Sequence, residues 1–372
     1  MKKILLASLL FCFVVAEDEF FEPGTTIGGY GELHYNNTDN PGCEGDDCYN
    51  STKLDFHRWI MFVNYNWTSE WSLKSELEIE HNMIDGDGDY DGEVELEQAY
   101  VNYHNSNGWG YGAGVVLISA GIINETHEPP TFLSVERPAY NSKIIPTTWF
   151  GNGAMAYGSF GDFHAKFVLH EDMKGDGMLD GLAFGGLRGG RAKGYKSKAY
   201  HWTKNISAHW TGMEGLNVGG SYTFGGAETG LNSIPGRDYV DWSLMEFHGQ
   251  YNANNIIAAF EYGLVNFSHV EDNVDDTLVP DQVATGYYMQ LGYNLAPMIG
   301  WEDCKLAPWF SMGMYDLNDL VDGDVSNTMV GLTWWPTDHV SWKVDYDMKV
   351  TKNADGTESK ANIMSLGVGY MF

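Results

Sequence analysis

Large apolar side chains alternate with polar or small ones along most of the chain, with a period of two. Residues 71–81 are the clearest case. Their apolar face carries Trp71, Leu73, Leu77 and Ile79, and their polar face carries Ser72, Lys74, Glu76, Glu78 and Glu80. A period of two predicts a β-strand rather than a helix. Ionised groups cannot point into lipid, so we expect the charged face to line a water-filled interior.

The same alternation recurs in later segments. Further charged faces carry Glu93, Glu95 and Glu97 in residues 93–104, and Lys343, Asp345, Asp347 and Lys349 in residues 340–350. The stretch 362–372 has an apolar face that ends on Phe372 and a mostly small face with Gly367 and Gly369. In a barrel such a strand pairs with the first one, so that no sheet edge remains in lipid.

About sixteen segments show this pattern, with tight turns and longer connections alternating between them. The sequence therefore predicts an all-β fold, a transmembrane antiparallel β-barrel of about sixteen strands, with fourteen or eighteen as alternatives. In such barrels the turns are periplasmic and the loops extracellular. One predicted strand covers residues 196–211, after a glycine-rich loop at 171–194. A soluble all-β sandwich is the alternative, but it does not explain charged faces opposite uniformly apolar ones.

The first residues predict a secretory signal peptide. Lys2 and Lys3 precede the apolar run 4–15, and the small Ala16 stands at the expected cleavage site. We therefore expect residues 1–16 to be the signal peptide and residues 17–372 to form a barrel in the bacterial outer membrane.

Composition agrees with a membrane barrel. The chain has 45 Gly, 22 Tyr, 18 Phe and 13 Trp, which suit turns, strands and aromatic girdles at the membrane interfaces. Its net charge of −30 argues against a nucleic-acid partner, which would need basic patches. In an oxidising compartment Cys43 and Cys48 can form a disulfide within one loop, and Cys304 is left over.

Several segments carry distinctive motifs. The most specific is G-I-I-N-E-T-H-E-P-P-T-F at 121–132, followed by V-E-R-P at 135–138 and I-P-T-T-W at 145–149. The others lie at 57–58, 76–81, 93–100, 189–191, 331–336 and 343–346. In these motifs the chain resembles the phosphate-selective porin family, the porins O and P of pseudomonads and their broader relatives. The resemblance spans nearly the whole mature chain. It implies a sixteen-stranded, homotrimeric pore whose long third extracellular loop folds into the lumen and narrows it.

Residues 119–148 form the longest connection and correspond to that third loop. A loop of this length is usually functional or disordered, and its apolar content argues against disorder. We expect it to be the constriction loop, and a lid over the mouth is the alternative. Its candidate residues are Asn124, Glu125, His127, Glu128, Glu136 and Arg137.

Selectivity does not follow from the resemblance, because anion selectivity requires rings of Arg or Lys in the lumen. The basic candidates are Arg58, Lys74, Arg137, Lys166, Arg188, Arg191, Lys343 and Lys349. The acidic ones are Glu76, Glu78, Glu80, Glu93, Glu95, Glu97, Asp345 and Asp347. With no repeated basic ladder in the sequence, we expect a general or weakly cation-preferring diffusion porin for small hydrophilic solutes or ions. A phosphate- or anion-selective porin is the alternative.

The acidic stretch 85–92 resembles a calcium-binding loop. Asp87, Asp89 and Asp91 have the required spacing, but Gln98 stands where a bidentate Glu is needed, and strands flank the loop. A solvated acidic loop is the favoured interpretation, and no other metal or cofactor is predicted. Outer-membrane lipid and lipopolysaccharide are the expected surroundings.

An enzyme and a plugged, adhesin-like barrel are the competing functional classes. No nucleophile motif is present, and His57, His81, His127, His164, His170 and His248 are scattered over different strands and loops. We therefore expect a pore rather than an enzyme.

Overall fold

The computed structural model describes residues 21–40, 51–83, 92–178, 186–228, 239–269, 281–320 and 323–372. Sixteen long strands of this part form one closed antiparallel sheet, because each pairs with the next and the last pairs with the first. They are β1 (Gly24–Asp39), β2 (Ser51–Asn66), β3 (Trp71–Glu80), β4 (Val94–His104), β5 (Trp109–Leu117), β6 (Phe150–Phe160), β7 (Phe163–His170), β9 (Thr203–Trp210), β10 (Leu216–Glu228), β11 (Tyr239–Ala253), β12 (Ile256–His269), β13 (Gln282–Tyr293), β14 (Lys305–Asp316), β15 (Val325–Thr337), β16 (Val340–Lys352) and β17 (Glu358–Met371). The two-residue β8 (Met173–Lys174) pairs in parallel with β10. The predicted sixteen-stranded barrel is confirmed.

The closing pair of strands has the geometry expected from the sequence. Leu33 on β1 lies opposite Val368 on β17. Beyond the end of β17, Phe372 and Gly29 exchange two backbone hydrogen bonds of 2.9 and 3.0 Å. Each strand therefore has a partner on both sides, which satisfies the backbone groups that lipid could not.

Side chains alternate between an apolar outer face and a mixed inner face. On β3, Glu76 and Glu78 are 1% and 2% exposed and point inward. On the outer face of β4 and β16, Leu96 and Trp342 are 45% and 53% exposed, as expected for residues that lipid would cover.

The two ends of the barrel differ. Short turns join strands at one end, which we call the short-turn end, except for the longer connection 294–304 between β13 and β14. Between β11 and β12, for example, Asn254 and Asn255 both have a positive φ and form a two-residue hairpin. The longer connections leave from the opposite, long-loop end. Short helices occur within connections: 3₁₀ turns at Pro129–Thr131 and Ala296–Ile299, and α1 (Tyr140–Lys143), α2 (Gly175–Met178) and α3 (Gly186–Gly189). No helix in the described ranges is long and apolar enough to cross a bilayer.

The strand predicted at 196–211 is too long. Strand β9 begins only at Thr203, and residues 196–202 do not join the sheet. The reason is Asp172, whose carboxylate accepts backbone hydrogen bonds of 2.8, 3.0 and 2.6 Å from Tyr200, His201 and Trp202. These donors are therefore satisfied without a neighbouring strand. The loop predicted at 171–194 likewise contains β8, α2 and α3.

Residues 118–149, here called the inner segment, connect β5 to β6 and contact the inward faces of many strands. Ile144 and Tyr140 lie next to Gly263 on β12, Leu133 lies next to Gly292 on β13, and Pro129 lies next to Gly369 on β17. An apolar core forms between the inner segment and the walls, especially β11 to β13. Its members include Ile118, Tyr140, Ile144, Ile145, Trp149, Trp242, Leu244, Val265, Phe267 and Ala284. The inner segment thus occupies part of the barrel interior.

Some predictions concern residues outside the described ranges. These are the signal peptide at 1–16, the disulfide between Cys43 and Cys48, and the calcium ligands Asp87, Asp89 and Asp91. All three stay predictions. Cys304, in the connection between β13 and β14, is half-buried and has no disulfide among the described residues.

Candidate pore constriction

A cavity of about 490 Å³ lies in the long-loop half of the barrel. Its walls are β2 to β4, β13 to β17, the inner segment and residues 188–193. Of the predicted pore-lining residues, Arg58, Glu78, Glu80, Glu95, Glu97, Asp347 and Lys349 line it, together with Glu136 and Arg137 of the inner segment. Charges from distant parts of the sequence therefore meet in one narrow space.

The base of the inner segment is held by Asn124, which is fully buried. Its side-chain amide donates to the backbone carbonyls of Ile118 (2.7 Å) and Trp149 (3.3 Å), and its side-chain oxygen accepts from the N–H of Trp149 (2.7 Å). The two ends of the segment are thereby tied together. Because these backbone groups are buried, losing their partner would be costly.

The inner faces of β1, β3 and β4 carry Glu32, Glu76, Glu78, Glu95 and Glu97, and we call this surface the acidic wall. Arg58 on β2 lies among these carboxylates and is their central counter-charge. Its Nε donates to Glu32 on β1, and its Nη1 lies 3.7 Å from Glu78 on β3. All three side chains are at most 5% exposed. A buried carboxylate needs such a partner, and Arg58 compensates part of the charge of these two acids.

His127 of the inner segment supplies a second counter-charge. Its Nε2 lies 3.4 Å from both Glu76 on β3 and Glu97 on β4. Burial alone would disfavour a charged imidazole, but the two carboxylates outweigh it and raise the pKa of His127 well above its usual value. The protonated form of His127 is thereby favoured, and its contacts with the two carboxylates fasten the inner segment to β3 and β4.

Other acids of the lumen are paired as well. Lys193 binds Glu95 and lies 2.9 Å from Glu93, and His34 lies 2.9 Å from Glu136. In the short-turn half a second cavity, of about 410 Å³, contains Lys74, Lys166 and Glu125, and Lys166 pairs with Glu125. Glu128 is half-buried at the start of the 3₁₀ turn Pro129–Thr131.

Two predicted pore-lining residues, Lys343 and Asp345, are covered by the inner segment. Lys343 Nζ donates to the Ser134 carbonyl (2.8 Å) and lies 3.7 Å from the ring centre of Phe132. The Asp345 carboxylate accepts from the N–H of Val135 (2.7 Å). These side chains are 6% and 3% exposed. They face inward as predicted, but they bind the segment and do not line the cavity.

Five basic residues of the cavity form no ion pair among the described residues: Arg137, Lys143, Arg188, Arg191 and Lys349. Arg188 donates to the Thr147 carbonyl (2.8 Å) and Arg191 to the Thr148 carbonyl (2.6 Å), so that neutral groups hold them. In the described part, Nε and Nη2 of Arg137 and Nε of Arg191 have no protein partner. Burial, followed by the like charges of Lys349 and Arg188, lowers the pKa of Lys143. We call these five residues the basic cluster.

Sequence reasoning missed Lys143 and Lys193. Both lie in connections without alternation, where no pattern indicates which way a side chain points. The only available signal was proximity to a motif: Lys143 lies just before the motif at 145–149, and Lys193 lies just after the motif at 189–191.

Comparisons with known proteins show which class of fold the chain has. No family model matches the chain. An uncharacterized protein of Aquifex aeolicus (strain VF5) is 30% identical over 295 residues, which are 73% of this chain, and the chain spans 62% of that relative's length.

Among solved structures, the chain is similar to the outer-membrane channel DcaP of Acinetobacter baumannii (TM-score 0.62, 11% identity, 94% of this chain and 97% of that one). It is also similar to an anion-selective porin from Comamonas acidovorans (TM-score 0.60, 11% identity, 94% and 100%). A third is the trimer form of OmpT, an outer membrane protein of Vibrio cholerae (TM-score 0.56, 11% identity, 94% and 100%). The chain therefore has the fold of bacterial outer-membrane porins.

Proposed function

We propose that the protein is a diffusion porin of the bacterial outer membrane, with a constriction that prefers small anions over cations. The fold and the inward-facing charged residues support a water-filled channel. One observation carries the anion preference: the basic cluster has no ion-pair partner among the described residues, whereas most carboxylates of the same cavity are paired.

Unpaired charges matter most because an ion pair presents little net charge to a passing ion. At ~6 Å, one unit charge changes the energy of that ion by about 0.7 kcal/mol in water and about 2.8 kcal/mol at an effective dielectric constant of 20. A salt-bridged pair at the same distance largely cancels. Of the charges of this cavity without an ion-pair partner in the described part, five are cations and two, Glu80 and Asp347, are acids. Arg58, His127 and Lys193 each face two carboxylates, so the paired acids keep some negative charge, and the proposed preference rests on the five cations that no carboxylate pairs with.

This proposal differs from the weak cation preference expected from residue counts. The counts treat every lumen charge as free, whereas pairing favours the anion-selective alternative. The chain's net charge of −30 does not decide the matter, because charges farther than about 8 Å from the ion are screened at physiological salt.

The test is the reversal potential of the purified protein in planar bilayers under a KCl gradient. We expect chloride to be more permeant than potassium. The double variant Arg188→Gln/Arg191→Gln should lower the chloride-to-potassium permeability ratio at least ~tenfold, since about 0.7 kcal/mol for each of two lost charges is about 1.4 kcal/mol. Lys305→Gln, an exposed lysine paired with Asp338 at the short-turn end, should leave the ratio unchanged. Cation selectivity in the unmodified protein would reject the proposal.

The competing classes are separated by a liposome-swelling assay. Ser159 Oγ lies 2.8 Å from His164 Nδ1, an arrangement that resembles a nucleophile and its base. However, the other ring nitrogen of His164 lies 3.2 Å from Thr211 Oγ1, so a hydroxyl and not a carboxylate orients the ring. We therefore favour a pore over an enzyme. Entry of small sugars into liposomes would support the pore, and exclusion of the sugars would favour the plugged barrel.

A homotrimer is our expectation, to be tested by chemical crosslinking.

A further inference from the structure

We propose that Asp55, His57 and His81 bind one divalent transition-metal ion, such as Zn²⁺ or Ni²⁺, on the pore wall in the long-loop half. This site lies beside the constriction, and it does not depend on the channel's ion preference. The inference rests on the spacing of the three side chains, on the backbone that sets their positions, and on their access to lumen water.

The spacing suits a metal ion. His81 Nδ1 lies 2.8 Å and His57 Nδ1 lies 3.4 Å from the same carboxylate oxygen of Asp55, and one ligand atom from each residue lies within 4.8 Å of the others. Zinc holds nitrogen and oxygen ligands at about 2.0–2.2 Å, which puts two tetrahedral ligand atoms about 3.4 Å apart. Small side-chain rotations would therefore admit an ion between the three atoms.

The backbone places these residues by two local irregularities. In β2, Arg58 pairs with Glu32 and Phe56 pairs with Leu33, so His57 is the extra residue of a β-bulge. A bulge re-aims a side chain, and here it brings His57 close to Asp55 on the inner side. After β3, His81 adopts a left-handed conformation with φ of 54°, and its N–H donates to the His57 carbonyl (3.1 Å). Both histidines are thus turned towards Asp55.

Access distinguishes this cluster from the two other acid-rich groups in the described part. The side chains of His57, Asp55 and His81 are 27%, 33% and 36% exposed, and both histidines line the cavity. By contrast, Glu76, Glu97 and His127 are fully buried and already form an ion pair. Glu78, Glu95 and Glu97 are all carboxylates, and each faces a protein cation.

The ligand types define the class of ion. Two imidazoles and one carboxylate suit Zn²⁺, Ni²⁺ or Cu²⁺, whereas Ca²⁺ and Mg²⁺ prefer oxygen ligands only. Three protein ligands would leave a further coordination position to lumen water. His34 stacks on His57 with ring centres 5.0 Å apart, but Glu32 and Glu136 engage both of its nitrogens, so it supports the ring of His57 without acting as a ligand.

The test is isothermal titration of EDTA-treated, detergent-purified protein with ZnCl₂ and, separately, CaCl₂. We expect one Zn²⁺ site that Ca²⁺ does not fill. His57→Ala and His81→Asn should each weaken Zn²⁺ binding at least tenfold. Asn is chosen at position 81 because it tolerates the left-handed backbone, so that the local fold is retained. His164→Ala, an inward histidine whose two ring nitrogens face hydroxyl groups, should bind as tightly as the unmodified protein.

Heat-modifiable migration on gels confirms that each variant forms a barrel. Absence of Zn²⁺ binding in the unmodified protein would overturn the proposal, as would unchanged binding in both histidine variants. The proposal would also be overturned if His164→Ala weakened Zn²⁺ binding as much as the His57 and His81 variants do. Because titration does not require conduction, a closed or cation-selective channel would leave this result interpretable.

Discussion

Replacing Lys343 by Met should release the inner segment while the barrel stays folded. Lys343 is 6% exposed on the inner face of β16, and within the described residues its ammonium contacts the inner segment, through the Ser134 carbonyl and the Phe132 ring. Methionine has a similar length and keeps the apolar contacts of the lysine stem. The substitution therefore removes the docking contacts and little else.

The expected magnitude follows from those contacts. A hydrogen bond to a charged group contributes about 1.5–3 kcal/mol, and a desolvated cation–π contact adds about 2 kcal/mol. Relief of the cost of burying an ammonium group offsets part of this sum. A net loss of about 3 kcal/mol would raise the undocked fraction of the inner segment on the order of 100-fold.

Two assays report on undocking. Trypsin should cleave the variant within the inner segment after Lys143, while the unmodified protein resists; Arg137 precedes Pro138, and trypsin does not cleave that bond. Single-channel conductance should rise or fluctuate, because the segment no longer occupies a fixed place in the lumen. Lys360→Met, an exposed lysine on β17, serves as the control for loss of one positive charge.

The reasoning would be refuted if Lys343→Met formed a barrel with the conductance and trypsin resistance of the unmodified protein. A variant that fails to form any barrel would show instead that Lys343 is required for assembly of the strands, which is a different role.

Two further predictions use other contacts. A Cβ on Gly369 would lie 2.3 Å from the Cβ of Pro129, so Gly369→Val should displace the inner segment and reproduce the trypsin sensitivity of Lys343→Met. Gly249→Val is the control, because a Cβ added there would meet no atom within 4 Å, and it should leave the protein resistant to trypsin. Equal cleavage of the two variants would contradict this account. Anion preference should also fall with rising pH. The lowered pKa of Lys143 means that its proton is lost below the ordinary lysine value of about 10.4, and the positive charge goes with it. Reversal potentials measured from neutral pH to about pH 10 should show the decline, and Lys143→Gln should reduce its size. An unchanged decline in that variant would exclude Lys143 as its source.

The strands could be predicted from the sequence because their pattern is local. On β3 and β16 the predicted inner residues, such as Glu78 and Asp347, are the inner residues of the structure. The pattern failed at residues 196–202, where Asp172 supplies acceptors that no period of two reveals. It is also uninformative on β11 and β12, because Trp242 and Val265 face inward and yet are apolar. The core beneath the inner segment explains that exception.

The candidate site could be predicted only in part, since its charges are paired over long distances in sequence. Glu95 and Lys193 are 98 residues apart, and Lys343 and Ser134 are 209 apart. Each inner side chain could be assigned to the lumen from its own strand. Whether it was paired, covered or free depended on connections whose paths no periodicity describes.

These pairings explain how a strongly acidic chain can hold a cluster of cations beside the carboxylates of its lumen. The carboxylates on β1, β3 and β4 are met by cations that arrive from elsewhere: Arg58 from β2, His127 from the inner segment and Lys193 from the connection before β9. On the other side, the small residues Gly367 and Gly369 of β17 leave room for Val135 and Pro129, so the inner segment lies against that wall. It then carries Arg137 and Lys143 towards the remaining space, where Arg188 and Arg191 are held by its own carbonyls. The acids of the wall therefore serve mainly to anchor the connections, and the cations left without an ion-pair partner in the described part lie on the anchored connections and on the neighbouring β16.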